Sequence, residues 1–261
     1  MQIVSAARYL TNQRHPRVRD KFSADNNLPC LMIHWDQFDR IYLISLADRR
    51  ERRRHALKQI ARFIGTDLPQ LQVFDAIRPT ESAGFPNAGA RGCFLSHLDV
   101  LKQALASGYE RILVLEDDIY FNPSVLSVEL PPEWGLVYLG HSLPALTPTR
   151  VEHYSGQVLM THCYAVSGVV LPLLVRYLDA MLLRPPGDPR GGPMPIDCAF
   201  NWFRAANPQA STWVALPSIC RQAPFPSDIT ARRWFDRAPL IRQVLFSARS
   251  FKRQLSLAQS R

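Results

Sequence analysis

The chain has 261 residues, 47% of them hydrophobic and 20% charged, which is enough to build one large domain and excludes a chain too polar to fold. Five scattered cysteines (Cys30, Cys93, Cys163, Cys198 and Cys220) form no C-x-x-C pair, which excludes a zinc ribbon or a disulfide scaffold and fits a reducing compartment. The net charge of +9 is concentrated in two stretches: residues 40–64 sum to +6 and residues 231–261 to +7, so the remainder is −4. Two basic patches suit phosphorylated ligands, anionic membranes or nucleic acid.

Residues 1–39 lack sustained periodicity and read as an N-terminal extension without the apolar run of a secretory signal. Arg40 to Leu46 reads as the first strand of a sheet. Asp48 and Glu51 have the spacing of a capping box, so a helix is expected to start there, with Leu57, Ile60, Ala61 and Ile64 on its apolar face. Arginines crowd its first turns, where cations oppose the helix dipole. Arg49 and Arg50, nearest the strand end, are the expected phosphate contacts.

Leu71 to Ile77 reads as a second strand and residues 78–90 as a loop. A helix is expected to open at Gly92, with Phe94, Leu98, Leu101 and Leu105 buried and Gly108 ending it. Then comes the most informative stretch, Arg111 to Phe121. Four apolar residues, Ile112 to Leu115, read as a strand buried on both faces. They run directly into Glu116, Asp117 and Asp118. Three carboxylates at a strand end must meet water or a cation, because each unpaired buried charge costs several kcal/mol. Carboxyl ends of strands are where open α/β sheets bind ligands, and carboxylates suit Mg²⁺ or Mn²⁺. Period-2 geometry expects Glu116 and Asp118 on one face and Asp117 on the other.

Further strands are expected at Leu136 to Leu139, His162 to Val166 and Thr212 to Leu216. Helices are expected from Gly168 to Leu183 and from Asp197 onward, the latter carrying Phe200, Trp202 and Phe203. Residues 140–156 and the proline- and glycine-rich residues 184–195 read as loops. Trp202, Phe203, His162 and Cys163 read as core. Strand and helix alternate, so the expected class is α/β with a mixed, largely parallel sheet.

The run Gly92-Cys93-Phe94-Leu95-Ser96-His97, followed about twenty residues later by Val114-Leu115-Glu116-Asp117-Asp118, resembles glycosyltransferase family 25. So do Ile41 to Leu46 with Arg49-Arg50, and Phe74 to Ile77. Tyr164 to Ser167, Pro195 to Asp197 and Ser227 to Ile229 follow in the family's order, so the resemblance runs over about residues 40–230. The chain departs from the family at Gly89-Ala90-Arg91-Gly92, where a Glu often precedes the cysteine.

The resemblance implies a GT-A type, Rossmann-like domain over 40–230 that moves a hexose, galactose first, from a UDP-sugar. The expected acceptor is a lipopolysaccharide or another glycan, and the expected course is inversion with Mn²⁺ or Mg²⁺. It implies Asp118 as metal ligand, with Glu116, Asp117, Arg49, Arg50, Gly92, Ser96 and His97 around the donor. For the acceptor base the preferred residue is Asp197, at a helix start where a carboxylate stays ionised, with Asp228 in reserve. Residues 231–261 place Ile241, Val244, Leu245, Ala248, Phe251, Leu255 and Ala258 on one arc beside Arg242, Arg249 and Arg253. That pattern is expected of an interfacial helix holding a cytoplasmic enzyme on an anionic membrane. Two other classes use the same residues differently. One is a metal-dependent phosphohydrolase or nuclease built on the acids. The other is a non-catalytic membrane or nucleic-acid binding module built on the basic patches.

Overall fold

The structure, a computed structural model, describes residues 35–122, 130–143 and 150–223. Asp228 and the expected helix within 231–261 lie outside the described residues, as do residues 1–34 of the N-terminal extension.

Among the described residues, nine strands form one sheet, with β2-β1-β3-β7-β5-β8-β6 as its main order. They are β1 (Arg40–Ser45), β2 (Leu71–Asp75), β3 (Arg111–Glu116), β4 (Ile119–Phe121), β5 (Leu136–Gly140), β6 (Arg150–His153), β7 (Cys163–Ser167), β8 (Thr212–Leu216) and β9 (Cys220–Gln222). β1 pairs in parallel with both β2 and β3, whereas β7 enters antiparallel between β3 and β5. Strands β1, β2, β3, β5, β8 and β9 share one direction, and β4, β6 and β7 oppose it. The α/β class with a mixed, mostly parallel sheet is therefore as expected.

Helices cover both faces. α1 (Arg50–Phe63) packs Ala56 and Ile60 on one face, together with Ile41, Leu43, Leu113 and Leu115. α2 (Ala88–Ala106), α3 (Leu171–Leu182) and α4 (Ile196–Ala206) cover the other, over Tyr42, Ile44, Ile112 and Val114. The even and odd residues of β1 and β3 thus serve opposite cores. This explains why these strands read as continuous apolar runs rather than alternating ones. Each fully buried Leu or Ile contributes about 1.5–3 kcal/mol. Trp35 and Phe38 are buried in the α1-side core, so the folded body begins before Arg40.

Two helix starts differ from expectation. α1 begins at Arg50 with Arg49 at the N-cap and no side-chain cap, so the capping box is not formed. Asp48 instead accepts two hydrogen bonds from the Arg78 guanidinium at 2.8 and 3.0 Å, and a charge-assisted fork outweighs a backbone cap. α2 begins at Ala88, four residues before Gly92, because the Asn87 side chain accepts from Ala90 N at 2.8 Å. Strand β6 falls within residues 140–156, expected as a loop, and β4 and β9 lie where no separate strand was expected. They are three or four residues long and owe their pairing to partners distant in sequence.

The chain passes from β1 through α1 outward to β2, then through α2 on the opposite face back over β1 to β3. The order therefore reverses at β1, and the carboxyl ends of β1, β2 and β3 meet at one edge. A crevice at such a reversal is the usual ligand site of an open α/β sheet.

Candidate active site

A cavity of about 360 Å³ lies at that edge. Its walls come from the three strand ends, from Arg49 and Arg52 of the α1 side, from Arg78 beyond β2 and from the inner face of α2. Glu116, Asp117, Asp118, Arg49, Gly92, Ser96 and His97 all line it, so one concavity gathers most of the residues singled out from sequence. Arg50 is exposed and is not part of the lining.

The three acids sit in different surroundings. Asp117 turns toward α1. Its Oδ2 accepts from Ser45 Oγ at 2.8 Å, and its Oδ1 accepts from Arg52 Nε at 2.8 Å. Burial, only partly offset by Arg52, holds its carboxyl above the usual range. Glu116 turns toward α2. Its Oε1 lies 3.4 Å from His97 Nε2 and accepts from Thr161 Oγ1 at 3.3 Å. Burial pushes this carboxyl up, but His97 and Thr161 outweigh burial and hold it below its usual value. Asp118 lies beyond the end of β3, in the turn before β4. Its Oδ2 is 3.1 Å from Arg52 Nη2, whereas its buried Oδ1 has no hydrogen-bond partner among the described residues. Burial, with the nearby Glu116 charge second, pushes this carboxyl up to about 8.

Strand alternation therefore ends at Glu116. Asp118 does not share a face with Glu116 as period-2 geometry expects, because the chain turns there and brings it round to Arg52 beside Asp117. Arg52 bridges both aspartates, and their charges, acting against burial, raise its own pKa. Arg49 and Arg50 are the arginines expected at the ligand, yet Arg52 is the one that meets the acids. Residues 49, 52, 53, 56 and 60 share the inward side of α1, so helical spacing from the buried Ala56 and Ile60 was the signal that could have found it. Arg53 lies on the same side, donating to Ser45 O at 3.0 Å and to Asp75 Oδ1 at 2.5 Å. Ser45, Arg78, Cys93 and Gln222 are further lining residues without an assigned role from sequence.

Gly92 and Ser96, expected at the start of a helix and beside the donor, both lie inside α2. Ser96 Oγ donates to Gly92 O at 2.7 Å and accepts from Ile77 N at 2.8 Å, tying α2 to the chain leaving β2. A Cβ at Gly92 would stand 2.5 Å from Ile77 O and 2.9 Å from Pro79 Cδ. The glycine serves close packing between helix and loop, and Ala88 and Gly89 are the residues of the first turn that face the cavity. His97 is fully buried in the third turn, with Nδ1 2.9 Å from Tyr164 Oη.

Asp197 is in the first turn of α4, outside the cavity lining, although close enough to Cys93 to raise that thiol's pKa. Its Oδ1 accepts from Cys198 N at 2.8 Å and its Oδ2 from Met160 N at 3.3 Å, and Met160 is held at φ +78°. Both oxygens thus secure backbone, one of them in a conformation side chains rarely adopt. This favours a structural role over the expected base. His162 and Cys163 are buried as expected, as is Phe203, whereas Trp202 is 40% exposed because α4 turns it away from the core.

Residues 38–130 match the family model described as Glycosyltransferase family 25 (LPS biosynthesis protein). The expected family resemblance is thereby found over β1 to β4, the segment that carries the three acids, Arg52, Cys93 and His97. The match stops well short of residue 230, so Asp197 and Asp228 lie outside it. Among curated proteins, the human "Inactive glycosyltransferase 25 family member 3" is 28% identical over 159 residues, 49% of this chain and 26% of that protein. The rat "Probable inactive glycosyltransferase 25 family member 3" is 28% identical over 170 residues, 52% of this chain and 28% of that protein. The chain therefore spans only about a quarter of the length of the curated relatives it matches. Among solved structures, a glycosyltransferase involved in glycosylation of the major capsid of PBCV-1 is similar at a TM-score of 0.47 and 12% identity, over 76% of this chain and 95% of that one.

Proposed function

We propose that the chain is a GT-A type glycosyltransferase that moves a hexose, galactose in the first instance, from a nucleotide diphosphate sugar to a saccharide acceptor with inversion. The observation that carries this reading is the joining of three strand-end carboxylates and three arginines around one cavity, within the segment that matches glycosyltransferase family 25. A departing nucleoside diphosphate develops negative charge, and donors fixed in advance stabilise it. Arg49 and Arg78, with Arg52 behind the aspartates, supply positive potential on the wall where a diphosphate would lie.

The donor set also fits a hard divalent cation, Mn²⁺ or Mg²⁺. Asp118 has a buried oxygen without a partner among the described residues and a carboxyl pushed up to about 8, the signature of an acid short of counter-charge. Asp118 would hold the ion, with Glu116 adjacent. When bound, the cation would supply Lewis-acid neutralisation of the diphosphate. Glu116 and Asp117 orient the sugar or ribose, each kept in place by its own partner, His97 or Arg52.

The curated relatives' names favour a second reading, nucleotide-sugar binding without transfer. Hydrolysis of UDP-galactose with Mn²⁺, followed by release of UDP, separates the two. Transfer predicts slow hydrolysis that Asp118→Asn or excess EDTA abolishes while the melting temperature stays within about 2 °C. Donor-dependent thermal stabilisation with no hydrolysis supports binding alone. Full turnover by Asp118→Asn overturns the metal assignment. In the same reading the acceptor is built at a cytoplasmic membrane face, with residues 231–261 as the membrane contact. Loss of anionic-liposome co-sedimentation when the chain ends at Ala238 is the expected check.

A further inference from the structure

Cys93, His97 and Glu116 are brought together by two elements. Cys93 and His97 are four residues apart on α2, one turn of a single helical face, and Glu116 ends β3 opposite them. One ligand atom from each lies within 4.8 Å of the other two. We propose that these three side chains bind one thiolate-preferring divalent cation of the Zn²⁺ class, at a site whose donors differ from those of Asp118.

The state of His97 carries the argument. Its ring is fully buried, and Nδ1 lies 2.9 Å from the hydroxyl of Tyr164. Nε2 is buried, has no hydrogen-bond partner among the described residues, and sits 3.4 Å from Glu116 Oε1. In the tautomer whose Nδ1–H donates to Tyr164, the Nε2 lone pair is available to a cation seated between it and the Glu116 carboxylate. A metal-ligating histidine characteristically hydrogen-bonds through its other ring nitrogen, which fixes tautomer and orientation. Tyr164 is itself fixed, stacked on His97 at 5.7 Å and edge-on to Phe200 at 5.1 Å. Burial holds its phenol far above its usual pKa, so the hydroxyl stays a neutral partner.

The donor chemistry selects the ion. Sulfur, imidazole nitrogen and one carboxylate oxygen suit zinc or cobalt, whereas all-oxygen sets suit Mg²⁺ and Mn²⁺. Ligand atoms around a tetrahedral zinc stand roughly 3.2–3.8 Å apart, a range His97 Nε2 and Glu116 Oε1 already meet at 3.4 Å; separations of up to 4.8 Å must close by about 1 Å, within the reach of side-chain rotation. Burial, together with Glu116, Asp197 and Asp118, keeps the Cys93 thiol protonated in the empty state. Cation uptake replaces that S–H bond with an S–metal bond and releases the proton to cavity water. All three residues line the cavity, so a fourth coordination position opens onto it, and a phosphate or hydroxyl oxygen can complete the shell. Three protein ligands with one open position is the pattern of a reactive rather than a structural zinc.

The inference concerns cation binding alone and stands whether or not the chain transfers sugar. The full chain, stripped with a chelator and desalted, is titrated with Co²⁺ and read by absorption. The expected result is a thiolate-to-cobalt charge-transfer band that saturates at one equivalent and is displaced by Zn²⁺ but not by equimolar Mn²⁺. Cys93→Ser abolishes the band, Asp118→Asn leaves it, and Tyr164→Phe weakens Zn²⁺ affinity about tenfold or more. In the wild-type chain, Zn²⁺ protects Cys93 from iodoacetamide, read by peptide mass. That measurement holds even if a variant folds poorly. No band, a band that survives Cys93→Ser, or Cys93 alkylation at the same rate with and without Zn²⁺ would overturn the proposal.

Discussion

Arg52 is the counter-charge on which the acid cluster depends, and Arg52→Met tests this directly. Methionine keeps much of the apolar stem and deletes the guanidinium. That guanidinium donates Nε to Asp117 Oδ1 at 2.8 Å, with Nη2 at 2.5 Å from the same oxygen and 3.1 Å from Asp118 Oδ2. The side chains of Arg52, Asp117 and Asp118 are 16%, 7% and 14% exposed. Removing one partner of a buried pair costs about 3–5 kcal/mol, because the other charge is left without compensation. The cluster opens on a solvent-accessible cavity and Asp117 keeps Ser45, so the low end, about 3 kcal/mol, is expected. For a body of this size that corresponds to a fall in Tm of about 6–12 °C. The assay is scanning calorimetry with urea denaturation on the wild type, Arg52→Met, Asp117→Asn and the double variant. The double variant should recover part of the loss, since of the two aspartates that Arg52 bridges only Asp118 then remains opposite the missing cation. A single variant within about 2 °C of wild type, or strictly additive losses, would refute the bridging role.

Three further outcomes are expected. Gly92→Ala should cost about 1–3 kcal/mol by forcing a Cβ against Ile77 O, seen as a lower urea midpoint. Unchanged stability with weaker nucleotide binding would restore its expected role beside the donor. Asp197→Asn should cost about 1 kcal/mol of stability through the turn at Met160 and the start of α4. Donor hydrolysis should change little, whereas a loss of about 10²-fold at intact stability would return Asp197 to the base assignment. Burial holds His141 below the usual imidazole pKa; its Nε2 bonds Ala215 O at 2.6 Å and its Nδ1 accepts from Leu143 N at 3.2 Å. The unfolded chain then takes up that proton first, so stability declines as pH falls below about 6.5 and levels off below the depressed folded value. The Tm advantage of wild type over His141→Gln should shrink between pH 7.5 and 5.5, and a gap that does not change with pH would contradict this account.

Much of the scaffold was legible in the sequence. The apolar runs of β1 and β3 announced strands buried on both faces, because a strand between two helix layers has no solvent side on which to place polar residues. The acids after Leu115 announced the ligand edge, since three carboxylates are not tolerated in a dry sheet. Local chemistry did not reveal which cation faces them. Arg50 and Arg52 are equivalent as letters and differ only in which side of α1 meets the sheet. The start of α2 turned on the side-chain cap at Asn87, and that shift moved Gly92 and Ser96 from a helix end to a helix interior. Asp118 left the face of Glu116 because the chain turns before β4, a three-residue strand whose partner β9 is about a hundred residues away. The meeting of Cys93 and His97 with Glu116 was half visible as a four-residue helical spacing. Its other half came only from packing α2 across the end of β3, because the proximity of residues remote in sequence is a property of the assembled core.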